Sequence, residues 1–317
     1  MRGLEAAKRA IREATSVAIS GHVNPDGDSI GSLLSLGLGI ERMGKRVLMV
    51  SVDGVPRRYR ELPAAGRIVR AIKKPVDLAI AVDCSSKDIL GKTYQSFKNA
   101  GTILEIDHHE FRRPFGNVSL VDAHAAAVGE MIYRLLKSLK VRITVPIAQN
   151  LLTSIIVETN SFKLPNVTPF TFKVCTDLIN SGVDFYELVD TVFWSKRKSS
   201  AVLSGICMAR CIFLKRGRIA WSIVTRKDFN AAHGKDEDVD AVPDDMRAIE
   251  GVKVAVLFRE KDDHTLRVSL RSKGKLNVAD LAESYGGGGH FDVAGCSISN
   301  SPSSIRVFLK DVERLVF

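Results

Sequence analysis

Four short runs in the first third of the chain are apolar with no alternation: 17–19 (VAI), 46–50 (RVLMV), 76–84 (VDLAIAVDC) and 102–107 (TILEID). A strand that shows one face to water alternates apolar and polar residues. A strand that is apolar throughout must be covered on both faces, which is the condition of a parallel sheet with helices above and below. Helical patterns separate these runs. Leu4, Ala7, Ile11 and Ala14 recur at helical spacing, and 29–44 (SIGSLLSLGLGIERMG) predicts a helix stopped by Gly44. Strands alternating with helices specify a doubly wound, mostly parallel α/β domain.

From 126 to 195 the pattern is mostly helical, with helices expected over 126–139, 147–157 and 171–182. A further helix is expected from Phe185 through the basic cluster Lys196-Arg197-Lys198 to about Cys211. The remainder changes character. Strands over 218–225, 252–260 and 265–271 and helices over 277–285 and 303–315 read as a smaller mixed α/β domain. The expected division is an N-terminal domain over 1–190, a helical linker over 191–214 and a C-terminal domain over 215–317. The acidic stretch His233–Asp245 reads as a solvated loop, because connections are polar by default.

Composition narrows the function. A chain of 317 residues has room for two cored domains, and 45% hydrophobic against 26% charged residues excludes intrinsic disorder. The net charge of +10, from 46 Lys+Arg and 36 Asp+Glu, fits phosphorylated partners without proving one. No run approaches the roughly 20 apolar residues of a membrane span, and the N-terminus has no apolar signal core, so no membrane partner is expected. Five cysteines, an odd number with no C-x-x-C pair, point to a reducing cytoplasm. Cys207 and Cys211 share a helical face, but no second pair completes a zinc site, so they read as core thiols.

The informative charges are local. His22, Asp26 and Asp28 lie in the loop and helix start after the first strand, Asp83 ends the third, and Asp107, His108 and His109 end the fourth. The carboxyl ends of parallel strands share one edge, where open α/β sheets bind ligands. Converging carboxylates cannot all stay ionised without counter-charge. Asp and His with few thiolates suit Mn2+ or Mg2+, with imidazole favouring Mn2+, and Asp83, alone on its strand end, could bridge a metal pair. Asp28 precedes a helix and could instead cap it.

These residues carry a resemblance. H-V-N-P-D-G-D-S-I-G-S, A-V-D-C-S and I-D-H-H-E resemble, in order, the first three motifs of the DHH phosphoesterase family, and V-E-T-N-S-F at 157–162 resembles the fourth. V-S-L-R-S followed by G-G-G-G-H-F-D-V-A-G resembles the signature of the DHH-associated C-terminal domain. The likeness spans nearly the whole chain and is greatest to the NrnA-type branch of nano-RNases and pAp phosphatases. It implies that His22 and Asp26 bind one metal ion, that Asp83 bridges, and that Asp28, His108 and Glu158 complete the second site. It implies further that His109 faces the phosphate or leaving oxygen and that Asp107 orients the histidines.

In the C-terminal domain, successive glycines permit a backbone nest for an anion. Gly287, Gly288 and Gly289, with His290 and Arg271, are the expected substrate-binding residues. The sequence departs from the family pattern at Glu158 (usually Asp), Asn160 (usually Gly), Ala125-Ala126-Ala127 (usually richer in Ser and Thr) and Asp292, where a carboxylate would repel an incoming phosphate.

The expected activity is Mn2+-dependent hydrolysis of short RNA or DNA oligonucleotides, linear dinucleotides or pAp by two divalent ions, with a homodimer left open. A RecJ-like single-strand exonuclease, a cyclic-dinucleotide phosphodiesterase, an inorganic pyrophosphatase and a non-catalytic nucleotide or RNA sensor are the rivals. The cluster 196–198 after Trp194 reads as a solvated helix rather than a stacking-plus-phosphate contact.

Overall fold

A computed structural model of the chain describes residues 3–194, 196–262 and 264–316, with the His290 side chain outside that description. The chain divides into two compact units, residues 1–195 and 196–317. Among the described residues no helix is long and apolar enough to cross a membrane.

The first unit runs α1 (Leu4–Glu13), β1 (Ser16–Ser20), α2 (Gly27–Glu41), β2 (Arg46–Val50), β3 (Leu78–Val82), α3 (Thr93–Phe97), β4 (Thr102–Asp107), β5 (Val118–Val121), α4 (Val128–Ser138), α5 (Val145–Glu158), α6 (Pro169–Ile179) and α7 (Phe185–Phe193). Its sheet has the order β2-β1-β3-β4-β5, and every pair is parallel. The unalternating strands mean what their composition requires. β3 sends Leu78, Ile80 and Val82 into one apolar cluster and Ala79 and Ala81 into another. The fifth strand, Val118–Val121, escaped the sequence reading because it is a short edge strand of only moderate apolarity.

Register sets the level of the strand ends. Ser20 pairs with Ala81, and Val82 with Ile106. His22, Asp83 and Asp107 therefore leave the sheet at one height. The order also reverses there, since β1 has β2 on one side and β3 on the other, the switch point at which such sheets open a crevice.

Behind the crevice, α2 is buried nearly all round and crosses α5 closely. A Cβ on Gly31 would lie 2.4 Å from the Asn150 carbonyl oxygen and 2.9 Å from the Ser154 amide nitrogen. Only a residue without a side chain allows that approach.

The second unit runs α8 (Lys198–Ala209), β6 (Ile212–Leu214), β7 (Ile219–Val224), α9 (Arg226–Ala231), α10 (Val242–Ala248), β8 (Val254–Glu260), β9 (Thr265–Ser272), α11 (Val278–Ser284), β10 (Gly288–His290), β11 (Val293–Ser299) and α12 (Pro302–Val316). Its sheet order is β10-β11-β9-β8-β7-β6, mixed, with only β7–β8 parallel. Two clusters cover its faces, β8 giving Val254, Val256 and Phe258 to one and Ala255 and Leu257 to the other.

Two sequence expectations are corrected. The helix expected over 185–211 is two helices, because its apolar residues serve separate cores: Leu188 and Val192 of α7 in the first unit, Leu203 and Cys207 of α8 in the second. The stretch His233–Asp245 is not a solvated loop. It contains a turn of 3-10 helix (Asp236–Val239) and the start of α10, and Asp238 is buried. Several of its carboxylates are paired: Asp240 with the buried Arg259 at 2.9 Å, and Asp236 with Lys261 at 2.6 Å.

Gly31→Ala is expected to destabilise the first unit by roughly 1–3 kcal/mol, the usual cost of overpacking. The added methyl meets backbone, which cannot rotate away, so the better helix propensity of Ala does not rescue it. Chemical denaturation of both proteins measures the difference.

Candidate active site

Asp83 stands at the centre of the first unit's crevice. It is 2% exposed, its amide donates to the Ile106 carbonyl at 2.9 Å, and its backbone holds φ at 57°. The left-handed region costs a side-chain-bearing residue of order 1 kcal/mol, so the surrounding sheet holds this carboxylate where its own backbone would not put it. His22 Nε2 lies 3.4 Å from Asp83 and 3.8 Å from Asp26. On the other side, His108 Nε2 lies 3.8 Å from Asp28, 3.8 Å from Asp83 and 3.6 Å from Glu158. Two groups could each hold a cation: His22, Asp26 and Asp83, and Asp83, His108 and His109. Asp83 belongs to both.

The imidazoles are turned for this. His22 Nδ1 donates to the Val23 carbonyl at 2.7 Å, and His108 Nδ1 donates to the Ala125 carbonyl at 3.1 Å. A carbonyl can only accept, so Nδ1 carries the hydrogen in each ring and Nε2 faces the carboxylates. The Ala125-Ala126-Ala127 departure costs nothing at this contact, since main chain provides the acceptor. His109 Nδ1 bonds Asp107 at 2.7 Å and lies 3.7 Å from Asp83.

Asp28 does not cap its own helix. Asp26 is the N-cap of α2, accepting from the Ser29 amide at 3.0 Å. The fully buried Asp28 reaches across to α4 and accepts from the Val128 and Gly129 amides at 2.9 and 3.3 Å, and from the hydroxyls of Ser154 and Ser32 at 2.6 and 2.9 Å. The sequence reading missed both serines, although a signal was present. Ser32 follows Asp28 by one helical turn and Ser154 precedes Glu158 by one, so each shares its carboxylate's helix face. Arg112 was missed too. It is an ion-pair partner of the buried Asp107 through Nε and lies 3.3 Å from Glu105 through Nη2.

The electrostatics are unbalanced in the protein alone. Burial pushes the Glu158 carboxyl far up, and the charges of Asp28, Asp26 and Asp83 push it further. Asp28 is raised by burial and by Asp83. His22 goes the other way: burial opposes its charge, but the bonds and charges of Asp26 and Asp83 outweigh that and raise it to about 11. His109 is raised as well, burial being outweighed by Asp107 and Asp83. The crevice holds protons where it would otherwise hold uncompensated negative charge.

In the second unit Asp292 is not a lone carboxylate, because Arg247 pairs with it at 3.1 Å. Arg247 also meets Asp244 at 3.0 Å, and the same Asp244 accepts from Arg271 Nε at 3.2 Å. Arg271 is thus held at its Nε edge by a carboxylate from the stretch expected to be loop. Nor is the glycine run an open nest. The Gly286 and Gly287 amides close the end of α11 on Glu283 and Ala282 at 2.9 Å each, and Gly288 and Gly289 pair with Gly295 and Ala294 as an edge strand. A Cβ on Gly287 would lie 2.2 Å from the Gly295 carbonyl oxygen, which is reason enough for glycine there. The expected role of the His290 side chain lies outside the described residues.

Comparison with known proteins follows the same division. The family model for the DHH family, N-terminal domain, matches residues 16–157, and that for the DHHA1 domain matches residues 225–316. The chain is 30% identical over 285 residues to the bifunctional oligoribonuclease and PAP phosphatase NrnA of Thermus thermophilus, covering 89% of this chain and 84% of that protein. An exopolyphosphatase-related protein from Bacteroides fragilis has the same fold, with a TM-score of 0.90 at 20% identity over 99% of this chain and 95% of that one. RecJ in complex with Mn2+ from Thermus thermophilus shares the architecture more loosely, with a TM-score of 0.57 at 13% identity over 99% of this chain and 54% of that one.

Two measurements test this description. Arg112→Met leaves Asp107 buried without its cation and is expected to cost about 3 kcal/mol or more in stability, the usual penalty for halving a buried pair. Cation uptake is expected to release protons, because His22 below its pKa of about 11 and the raised carboxyls carry protons that compete with a metal. Apparent Mn2+ affinity should therefore rise with pH across the neutral range. Calorimetry in buffers of different ionisation enthalpy reads the proton count directly, and a count of zero would contradict it.

Proposed function

The chain belongs to the DHH family and hydrolyses phosphoester bonds; on that premise we propose that it acts on short oligonucleotides, releasing mononucleotides, and on pAp, releasing AMP, with two divalent cations, Mn2+ in preference to Mg2+. The observation that carries this reading is the position of Asp83, shared by two groups of cation-ready side chains in a crevice that is over-supplied with carboxylates. The donor set is Asp, Glu and His with no thiolate, which fits Mn2+ or Mg2+. The printed activities of the Thermus thermophilus relative, an oligoribonuclease and PAP phosphatase, support the substrate class. The Mn2+ complex of RecJ supports the metal.

His22, Asp26 and Asp83 would hold one cation, and Asp28, Asp83, His108 and Glu158 the other. Cations held there would supply Lewis acidity toward the phosphoryl oxygens and lower the pKa of a bound water. The protein's own groups do the rest. His109, kept protonated by Asp107, donates to a phosphoryl or leaving oxygen as charge builds there. Arg112 keeps Asp107 ionised and in place. Within the second unit, Arg271, its Nε edge fixed by Asp244, is the residue we assign to phosphate binding. Five free cysteines fit a reducing, cytoplasmic setting.

A substrate panel with Mn2+ separates the competing activities: labelled dinucleotide, a long single strand, pAp, a cyclic dinucleotide and pyrophosphate. Dinucleotide and pAp are expected to lead. A long single strand at the head of the order would favour a RecJ-like exonuclease, and binding without any hydrolysis a sensor. Asp83→Asn should abolish Mn2+-dependent turnover, and a variant keeping most activity would sink the two-cation assignment.

A further inference from the structure

One buried group beside the site has no use in the scheme above. Tyr59 ends a single turn of 3-10 helix, Arg57–Tyr59, and its side chain is 0% exposed within the main apolar cluster of the first unit. Its ring packs as phenylalanine would, yet the residue carries a hydroxyl that has no hydrogen-bond partner among the described residues. A buried hydroxyl left unsatisfied costs about 1–3 kcal/mol, so such a group asks for a partner that arrives later.

Its surroundings name the partner. The hydroxyl oxygen would lie 2.9 Å from a Cβ on Gly27, and Val157 side-chain carbons occupy the same spot at 2.6 and 2.8 Å. Gly27 follows Asp26 and Val157 precedes Glu158, so the hydroxyl sits between the two chain segments that deliver these carboxylates. A phenolic hydroxyl is protonated, and so a hydrogen donor, at any working pH; burial raises Tyr59 further, to about 12, with the Arg58 charge opposing and those of Asp26 and Glu158 adding. Of the two acceptors, Asp26 is engaged as the N-cap of α2 and beside His22. Among the described residues, Glu158 has only the 3.6 Å approach to His108 to hold it. It also has one methylene more than the aspartate usual in the family, hence one more torsion to fix.

We propose that Tyr59 is a positioning residue, its hydroxyl donating to the Glu158 carboxylate in the cation-loaded protein and fixing that longer side chain in its ligating orientation. This rests on the two-cation reading. It assigns the donor that a flexible carboxylate ligand needs if it is not to lose affinity through its own freedom.

The test uses full-length protein with Mn2+ alone, read by calorimetry, together with the melting temperature of the metal-free protein. Tyr59→Phe keeps the ring and removes only the hydroxyl. It is expected to weaken the lower-affinity Mn2+ site about 10-fold or more, while the metal-free melting temperature stays level or rises, since an unsatisfied buried group has gone. Adding Tyr59→Phe to Glu158→Gln should cause no further loss, because the hydroxyl acts through that carboxylate. The inference is overturned if Tyr59→Phe binds Mn2+ within about twofold of the parent, if the metal-free protein loses several degrees of melting temperature, or if the two substitutions weaken binding independently. Parent protein that binds no Mn2+ would overturn the two-cation reading itself, and this inference with it, so the two failures are distinguishable.

Discussion

Mutual repulsion among carboxylates is the constraint on which the first unit is built. Asp26, Asp28, Asp83 and Glu158 come from three chain segments, and His22 and His108 face into the same volume. The protein alone relieves that crowding with protons, visible in the raised Glu158, Asp28 and His22. Among the described residues no lysine or arginine pairs with these four carboxylates, whose ion-pair partners are histidines. The Arg112 guanidinium serves Asp107 and Glu105 instead. An overall charge of +10 coexists with a crevice that is short of positive charge, and the two facts concern different length scales. Under the proposed function the net excess would act as a long-range field on phosphorylated substrates, whereas the negative crevice would be completed by cations.

Holding such a set together falls to groups that contribute no charge. Main-chain carbonyls of Val23 and Ala125 turn the two imidazoles, main-chain amides of α4 and two serine hydroxyls hold Asp28, and sheet register sets the height of Asp83. The close crossing of α2 on α5, allowed by Gly31, brings Ser154 onto Asp28. A positive φ at Asp83 and three successive left-handed residues at Asn160, Ser161 and Phe162 follow the same logic. Backbone strain is stored where a segment carrying a crevice carboxylate must turn sharply, and asparagine tolerates that conformation better than most residues other than glycine.

The second unit solves a different problem. Arg271, which we propose binds phosphate, is held in place on its strand by neighbouring side chains. Asp244 fixes its Nε edge, and Arg247 bridges Asp244 to Asp292. Two arginines and two aspartates thus form one connected set of ion pairs. The glycines beside them serve close packing of β10 on β11 and the end of α11 as much as any ligand.

Much of this was legible in the sequence. Strand composition without alternation fixed a parallel sheet covered on both faces, and the acids and imidazoles at its strand ends marked the crevice, because residue type and strand polarity together determine which edge they reach. Helix spacing would also have given Ser32 and Ser154. Other features needed the folded chain. That Asp28 caps α4 and not its own helix, that Arg112 supports Asp107, that Asp244 and Arg247 pair with Arg271 and Asp292, and that the Tyr59 hydroxyl lies beside Gly27 and Val157 all depend on contacts between residues distant in the chain. Local propensity and periodicity carry no record of such distances. They arise when helices cross and strands come into register, and only tertiary structure decides them.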